Sequence, residues 1–389
     1  MHRREFIHLA GGGTLAAALS GCSSALPAEA LSAWAGPPDG EADLRRWALA
    51  HALLAPSSHN RQPWLVDLRE PNAITLTVDR ARLLPETDPW FRQIVVSQGT
   101  FLELLVMALK ERGVAPQVQL FPQGEFAPRS LDDRAVARVH WDPAAPAPAR
   151  DALFAQIRRR HTAKVPFDTA RPVDPALLHA VATAWPADAP TGLRTDHTID
   201  AERVAVLRTL CIDAARVEVG TARTALESAR LMRIGPEEIE RHRDGISING
   251  LVPRAAAALG LFDRTTAPAP GTRAFNQVMK RFEEHGSTAM GFVWITTDSA
   301  AGPSRSAEVW AGRAYVRQQL KATELGLQMH PMSQAPQEFD EMKPHRQRLH
   351  QLLTGRADGA TTVQMFSRVG HSMPVDPAPR RPLDSLLRA

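Results

Sequence analysis

The chain has 389 residues, 44% of them apolar and 23% charged, with a formal net charge of +4. That composition builds a buried core and excludes an intrinsically disordered chain; the small, interspersed charge leaves no nucleic-acid footprint. Two cysteines, Cys22 and Cys211, exclude a disulfide framework and a cysteine-based metal centre.

Residues 1–30 read as an export segment rather than as part of the fold. His2-Arg3-Arg4-Glu5-Phe6-Ile7 matches a twin-arginine pattern built on Arg3 and Arg4, and a mildly apolar run, Leu9 to Leu19, follows. Leu19-Ser20-Gly21-Cys22 has the form of a lipobox, with Cys22 as the lipidated residue. Ala28-Glu29-Ala30 offers a competing cleavage site for a soluble product. Either reading predicts a periplasmic protein moved by the twin-arginine translocase, the first with a lipid anchor to the membrane.

Residues 31–40 read as a linker. Helical periodicity is expected over Glu41 to Leu54, ended by Pro56. Trp64 to Leu68 and Ile74 to Val78 alternate like two strands around a Pro-Asn turn. Trp90 to Arg112 predicts a long apolar helix closed by Gly113, and Val118 to Leu120 and Ala135 to Trp141 predict strands. These elements make up a first α+β half, residues 41–150.

The second half, residues 151–389, opens with a helical pattern over Asp151 to Arg160. Asp174 is a candidate N-cap for a helix reaching Ala184, and one long helix is expected from Asp200 to Ile234. Residues 235–286, charged and broken by Gly and Pro, predict several short helices. A strand over Met290 to Thr297, a helix over Glu308 to Leu327 and a strand over Thr361 to Phe366 follow. Ser97 to Gly113 resembles Ala311 to Gly326, each run carrying a small residue where two helices would cross closely.

Two segments carry the chemistry. One is Ala55-Pro56-Ser57-Ser58-His59-Asn60-Arg61-Gln62-Pro63-Trp64; the other is Arg160-His161-Thr162-Ala163-Lys164-Val165-Pro166-Phe167. Together they resemble the two halves of the FMN site of the nitroreductase superfamily, in inverted order. In ordinary members the site lies between two subunits. The inversion therefore suggests two nitroreductase-like halves fused into one chain, an internal pseudo-dimer with one composite site. Leu327-Gln328-Met329-His330-Pro331-Met332-Ser333 is similar to the superfamily's loop beside the flavin, and Arg380-Arg381-Pro382 to its C-terminal ending. The whole is closest to the Acg-like branch, fused and lidded, and the resemblance implies an α+β nitroreductase fold with residues 235–286 as the lid.

The resemblance also assigns the site. Arg160, with Arg380 or Arg381, grips the FMN phosphate, a task suited to fixed guanidinium donors. Thr162 keeps the hydroxyl of the usual serine, and Lys164 stands near the pyrimidine edge of the ring, where a cation favours the reduced flavin. Ser57, Ser58 and Asn60 supply hydrogen bonds from the other half. Pro331, Met332 and Ser333 lie along the ring face, and His59 and His161 belong to the motifs. Gln62, also within the motif, and Trp64 are expected to be structural. No histidine spacing suits a metal.

Two functions fit these residues. One is an FMN-dependent oxidoreductase passing electrons to a nitro, quinone or similar small-molecule acceptor. Its donor in the periplasm would be a quinol or a redox protein. The other is a non-enzymatic FMN-binding or sequestering protein with its flavin occluded by the lid. The internal pseudo-dimer predicts a monomer.

Overall fold

The computed structural model describes residues 25–260, 263–299, 302–356 and 359–388. Arg3, Arg4 and Cys22, the residues of the export and lipidation motifs, lie outside them.

The first half starts with a turn of helix, α1 (Ala28–Leu31), and then α2 (Leu44–Ala52), whose N-cap Asp43 accepts from the Arg45 N–H. Strands β1 (Trp64–Asp67) and β2 (Ala73–Val78) follow, then the central helix α3 (Arg92–Glu111). The Asp88 carboxylate starts α3 by accepting from the Gln93 and Ile94 N–H groups at 3.1 and 2.9 Å, and Gly113, at φ +75°, ends it. Strands β3 (Gln117–Leu120) and β4 (Ala135–His140) complete an antiparallel sheet in the order β1-β2-β4-β3. Helix α3 is long and apolar enough to cross a membrane, but 94% of that stretch is buried, which makes it a core helix.

The second half repeats this topology. After α4 (Pro175–Ala182) and β5 (Leu193–Thr198) come β8 (Gly291–Asp298), the central helix α10 (Arg305–Glu324), β9 (Gln328–Pro331), α11 (Lys343–Thr354) and β10 (Thr361–Gly370). The sheet order, β5-β8-β10-β9, is the same pattern of first, second, fourth and third strand, again antiparallel with the central helix between the second and third.

Helices α3 and α10 pack against each other at two glycines. A Cβ on Gly99 would stand 2.0 Å from the Val309 carbonyl oxygen, and one on Gly312 would stand 2.0 Å from that of Val96. Backbones that close admit no side chain, and they bring both halves against one seam. The tail returns to the first sheet, where Arg388 N–H donates to the Val66 carbonyl at 2.8 Å.

The halves differ between their first two strands. Residues 68–72 join β1 to β2, whereas 199–290 join β5 to β8. This insertion holds α5 (Ala201–Gly220), α6 (Ala222–Arg230), β6 (Met232–Ile234), α7 (Gly235–His242), β7 (Ile246–Ile248), α8 (Leu251–Ala258) and α9 (Arg273–Ser287). Helices α5 and α9 share an apolar cluster of Ala215, Val219, Phe275 and Met279.

Four local expectations change. Residues 31–40 are not a plain linker, because Ser32–Ala35 is a 3₁₀ turn that buries Trp34. The helical pattern at 151–160 forms only a 3₁₀ turn, Ala152–Gln156; from there the chain turns Arg160 into the interior. The helix expected from Asp200 to Ile234 breaks at Gly220-Thr221, Thr221 being extended, and ends in a strand. Residues 235–286 include one long helix, α9, beside the short ones.

Candidate functional site

The loop after α2 carries the first motif and is held in unusual backbone. His59, Asn60 and Gln62 all have positive φ, at 48°, 52° and 51°. Non-glycine residues seldom adopt this region, and a cluster of them persists only where the surroundings impose it. Here the Gln62 N–H donates to Ser57 Oγ at 2.9 Å, and the Ser58 N–H to Ser97 Oγ at 3.2 Å. Ser58 Oγ also donates to Gln93 Oε1 at 3.1 Å. Gln62 is fully buried: its Oε1 accepts from the Arg381 N–H and its Nε2 donates to the Arg243 carbonyl, both at 2.8 Å. Trp64 is also fully buried, with its ring against Phe101.

The second motif reaches the same place from the other half. Arg160 Nη2 donates to the Leu54 carbonyl at 2.9 Å, and its Nη1 donates to Gln319 Oε1 at 2.8 Å. Gln319, on α10, also donates to Thr162 Oγ1 at 3.1 Å, so one amide fixes two motif residues. From the C-terminal tail, Arg380 Nη2 donates to the same Leu54 carbonyl at 3.0 Å and to that of Ala55 at 3.1 Å. Its Nη1 donates to Asn60 Oδ1 at 2.9 Å. The structure thus joins Asn60, Arg160, Thr162 and Arg380 in one cluster.

Charge sets this cluster apart. Arg160 and Arg380 are 1% and 3% exposed, no described carboxylate pairs with either, and the Nε of each has no partner. Buried Arg92, Arg305 and Arg313 are matched by Glu338, Glu308 and Glu103; buried Arg368 has no carboxylate either, but its Nε, Nη1 and Nη2 all donate to protein acceptors. Burial lowers Arg160 to about 10, and burial together with Arg160 drives Arg380 well down. Two buried cations sharing one carbonyl, with unused N–H donors, form a cradle for an anion. Arg381 lies apart from it. Its guanidinium donates to the Gln62 and Ser385 carbonyls and pairs with Asp79 at 3.4 Å.

Trp34 covers the cradle. Its ring centroid lies 5.8 Å from Arg160 Cζ, 5.1 Å from Arg380 Cζ and 5.1 Å from the His161 ring. Its indole N–H donates to the Ala378 carbonyl at 2.8 Å. Burial, then Arg160, lowers His161 to about 4, so it is neutral at pH 7.

Lys164 stands further along the motif. Buried Arg368 holds its two neighbours, donating to the Val165 carbonyl at 2.7 Å and the Ala163 carbonyl at 3.4 Å. The Lys164 side chain is accessible yet ringed by protein. Desolvation, then Arg281, lowers it to about 8, with Glu218 opposing. Its surroundings are mostly basic. His59, His285 and His330 all carry lowered values, the first two about 3, with burial the largest cause and Lys164 among the others. Glu218, on α5, is the carboxylate facing this group. It is buried, takes a hydrogen bond from Gln337 Nε2 at 2.7 Å, and is raised by burial to about 7.

The remaining residues divide. Pro331 ends β9 opposite Ser367, and Ser333 is half-buried beyond it. Met332 turns into the core beside Phe292 and Phe366, with its N–H donating to the Phe366 carbonyl, so its side chain does not join the cluster. The insertion closes from the opposite side. Ser228 Oγ lies 3.3 Å from His59 Nε2, and the Gly245 N–H donates to the Asn60 carbonyl at 3.3 Å.

Sequence reading missed Trp34, Gln319 and Glu218. A lone Trp in a Gly/Pro-bounded stretch and a Gln pair inside a predicted helix were the available signals; Glu218 gave none. Among the described residues no group of three or more His, Cys, Asp or Glu is placed to hold a metal.

Comparison with known proteins shows partial similarity to several nitroreductase-like proteins. No family model matches the chain. A Mycobacterium tuberculosis protein, acg, whose name carries a provisional NAD(P)H nitroreductase assignment, is 30% identical over 190 residues, 49% of this chain and 50% of the relative. Over those 190 residues the chain is similar to this acg protein. It spans about half the length of the curated relatives it matches. A second protein of that organism, with the same provisional assignment, is 34% identical over 122 residues, covering 31% of this chain and 33% of the relative. Among solved structures, the FMN and NADPH-dependent nitroreductase NfnB of a Sphigopyxis strain aligns with 61% of this chain and 99% of its own. The identity there is 18% and the TM-score 0.37.

Proposed function

We propose that this chain binds FMN with its phosphate in the cradle and its ring toward Lys164, and acts as a flavin-dependent oxidoreductase toward nitro, quinone or similar acceptors. The observation that carries the reading is the pair Arg160 and Arg380, buried without a counter-ion and with both Nε donors unused. A dianionic phosphate supplies what they lack, and bidentate guanidinium donors suit it. Arg380 rather than Arg381 is the C-terminal partner, because Arg381 is already engaged by Asp79 and by backbone.

The remaining residues then have roles. Thr162 and Asn60 stand beside the cradle, and Lys164 sits where a cation stabilises negative charge on the ring's pyrimidine edge. Bound FMN would supply the hydride or electron transfer. The protein binds, orients and tunes it, and keeps water from the phosphate end with Trp34.

One set of contacts favours a second reading, a flavin-sequestering protein. Residues 235–286 and the neighbouring helices form a lid in this proposal, supported by Ser228 against His59, Arg243 against Gln62 and Glu218 toward Lys164. A visible spectrum of the purified chain separates the readings, followed by anaerobic NADH, NADPH and dithionite. Flavin bleached by nicotinamide and recoloured by a nitroaromatic supports the reductase. Flavin reduced by dithionite alone supports sequestration or a quinol or protein donor, and no flavin overturns both.

We further propose export by the twin-arginine route, with lipidation of Cys22 and a periplasmic site of action. A flavin made in the cytosol and carried across inside a folded protein agrees with that route. Replacing Arg3 and Arg4 by Lys should strand the protein in the cytosol; normal export of that variant would remove the proposal.

A further inference from the structure

Helix α8 is out of keeping with the rest of the surface. Its sequence, Leu251-Val252-Pro253-Arg254-Ala255-Ala256-Ala257-Ala258, continues into Leu259 with one charge in the run, and no residue of the helix is buried. Leu251, Val252 and Leu259 are 39%, 76% and 73% exposed, and they make up three of the six large apolar side chains exposed among the described residues. Trp185, Val206 and Met373 are the other three, and they are far from α8 in sequence. A concentrated apolar patch on a short helix marks a surface that something covers.

The position of Ala25, three residues after the lipobox cysteine, says what covers it. Asn249 Nδ2, two residues before Leu251, donates to the Ala25 carbonyl at 2.6 Å. The segment after Ala25 stays docked nearby, with Arg243 pairing with Glu29 at 3.2 Å. Cys22 lies three residues before Ala25. Three residues of extended chain reach about 11 Å at most. An acyl group on Cys22 therefore enters its bilayer within about that distance of the shoulder of α8, less than the thickness of a single leaflet.

We propose that α8 is a membrane-surface helix, with Leu251, Val252 and Leu259 seated in the headgroup region of the bilayer that holds acylated Cys22. The proposal rests on the lipidated reading of Cys22. It commits to a lipid surface rather than to a second copy of the chain, because the anchor point and the apolar patch coincide. Shallow seating of a short apolar face is how interfacial helices bind. The helix also belongs to the 199–290 insertion that closes on the site, so the membrane would bear on the element that covers the flavin.

The test uses the full chain as the cell matures it, carrying Val252→Cys labelled with an environment-sensitive dye. Cys211 is buried and Cys22 is acylated, so the label falls on position 252. On vesicles of phosphatidylethanolamine and phosphatidylglycerol, the dye emission should shift to the blue and be quenched by nitroxide-bearing lipid. Leu259→Asp in the labelled chain should reduce both the blue shift and the quenching, with flavin content unchanged. Acylated, vesicle-bound protein whose label neither shifts nor is quenched would overturn the proposal. So would a dimer formed through this patch in the absence of lipid. A mature N-terminus found without an acyl group by mass spectrometry would instead overturn the reading beneath it, and unchanged flavin binding in that case would leave the FMN assignment standing.

Discussion

At the residue scale, the cost of Arg160 and Arg380 explains their use. An uncompensated buried ion costs several kcal/mol, and these two repel each other. On the proposed reading, an anion in the cradle offsets that cost. FMN should raise the midpoint of thermal unfolding of the wild-type chain, with a stabilisation of about 2.7 kcal/mol at a hundred times the dissociation constant. Arg160→Ala and Arg380→Ala should abolish most of that gain, whereas Arg381→Ala should lower stability but keep the response to FMN. Equal stabilisation of wild type and Arg160→Ala in a thermal-shift titration would remove the cradle from the site.

Glu218 makes a separate prediction. Its folded value, about 7, lies above the ordinary carboxylate range. Between about 4.5 and 7 the unfolded chain has lost this proton while the folded chain keeps it. Stability therefore falls as pH rises through that window and levels off above it. Glu218→Gln should flatten that part of the profile, and urea midpoints from pH 4.5 to 8 would show it. Because Glu218 faces Lys164, the same variant should also change the pH dependence of the flavin's reduction potential, which a purely structural carboxylate would not do.

The residues legible in the sequence were those inside contiguous motifs, such as Arg160, Lys164 and Asn60. Gln319 meets its partners across |i−j| of 157 to 159, and Trp34 meets Ala378 across 344. Contacts that distant have no local pattern to announce them.

At the element scale, the crossing of α3 and α10 fixes the site. Gly99 and Gly312 let the two backbones touch, and α10 carries Gln319, which holds Arg160 and Thr162. Gly312→Ala would drive a methyl group into the Val96 carbonyl. The expected loss is roughly 1–3 kcal/mol, as for other overpacked cores, seen as a lower urea midpoint with an unchanged slope. Flavin occupancy should fall with it, because separating the helices moves Gln319 away from the motif. Gly99→Ala should behave alike, and a variant that kept full stability would show that the helices cross more loosely. The small residues in the two similar helical runs made this crossing readable beforehand. The 3₁₀ turn at Ala152–Gln156 was not readable, since an apolar spacing of a few residues fits a 3₁₀ turn as well as an α-helix, and burial of Arg160 decided between them.

At the scale of the whole molecule, the repeated strand order is the informative fact. Each half runs two strands, a central helix and two more strands, with the sheet ordered first, second, fourth, third. The halves meet at the two central helices, and the cluster draws Asn60 from one half and Arg160 with Arg380 from the other. A symmetric pair of subunits would build two such places. The two halves here are not equivalent, because the insertion at 199–290 is present in one half only. On the proposed reading the expected stoichiometry is one flavin per chain, in a monomer. Asn60→Ala combined with Ser57→Ala in the first half, and Arg160→Ala in the second, should therefore each remove the same single flavin. A dimer site shared between chains would behave differently. Mixing and reassociating the two flavin-free variants would then restore one of the two sites in each heterodimer, about a quarter of all sites in an equal mixture, whereas in a composite monomer the mixture stays empty. Absorbance-based flavin counting on the mixed and separate proteins, with sedimentation of the wild type, would tell the two apart.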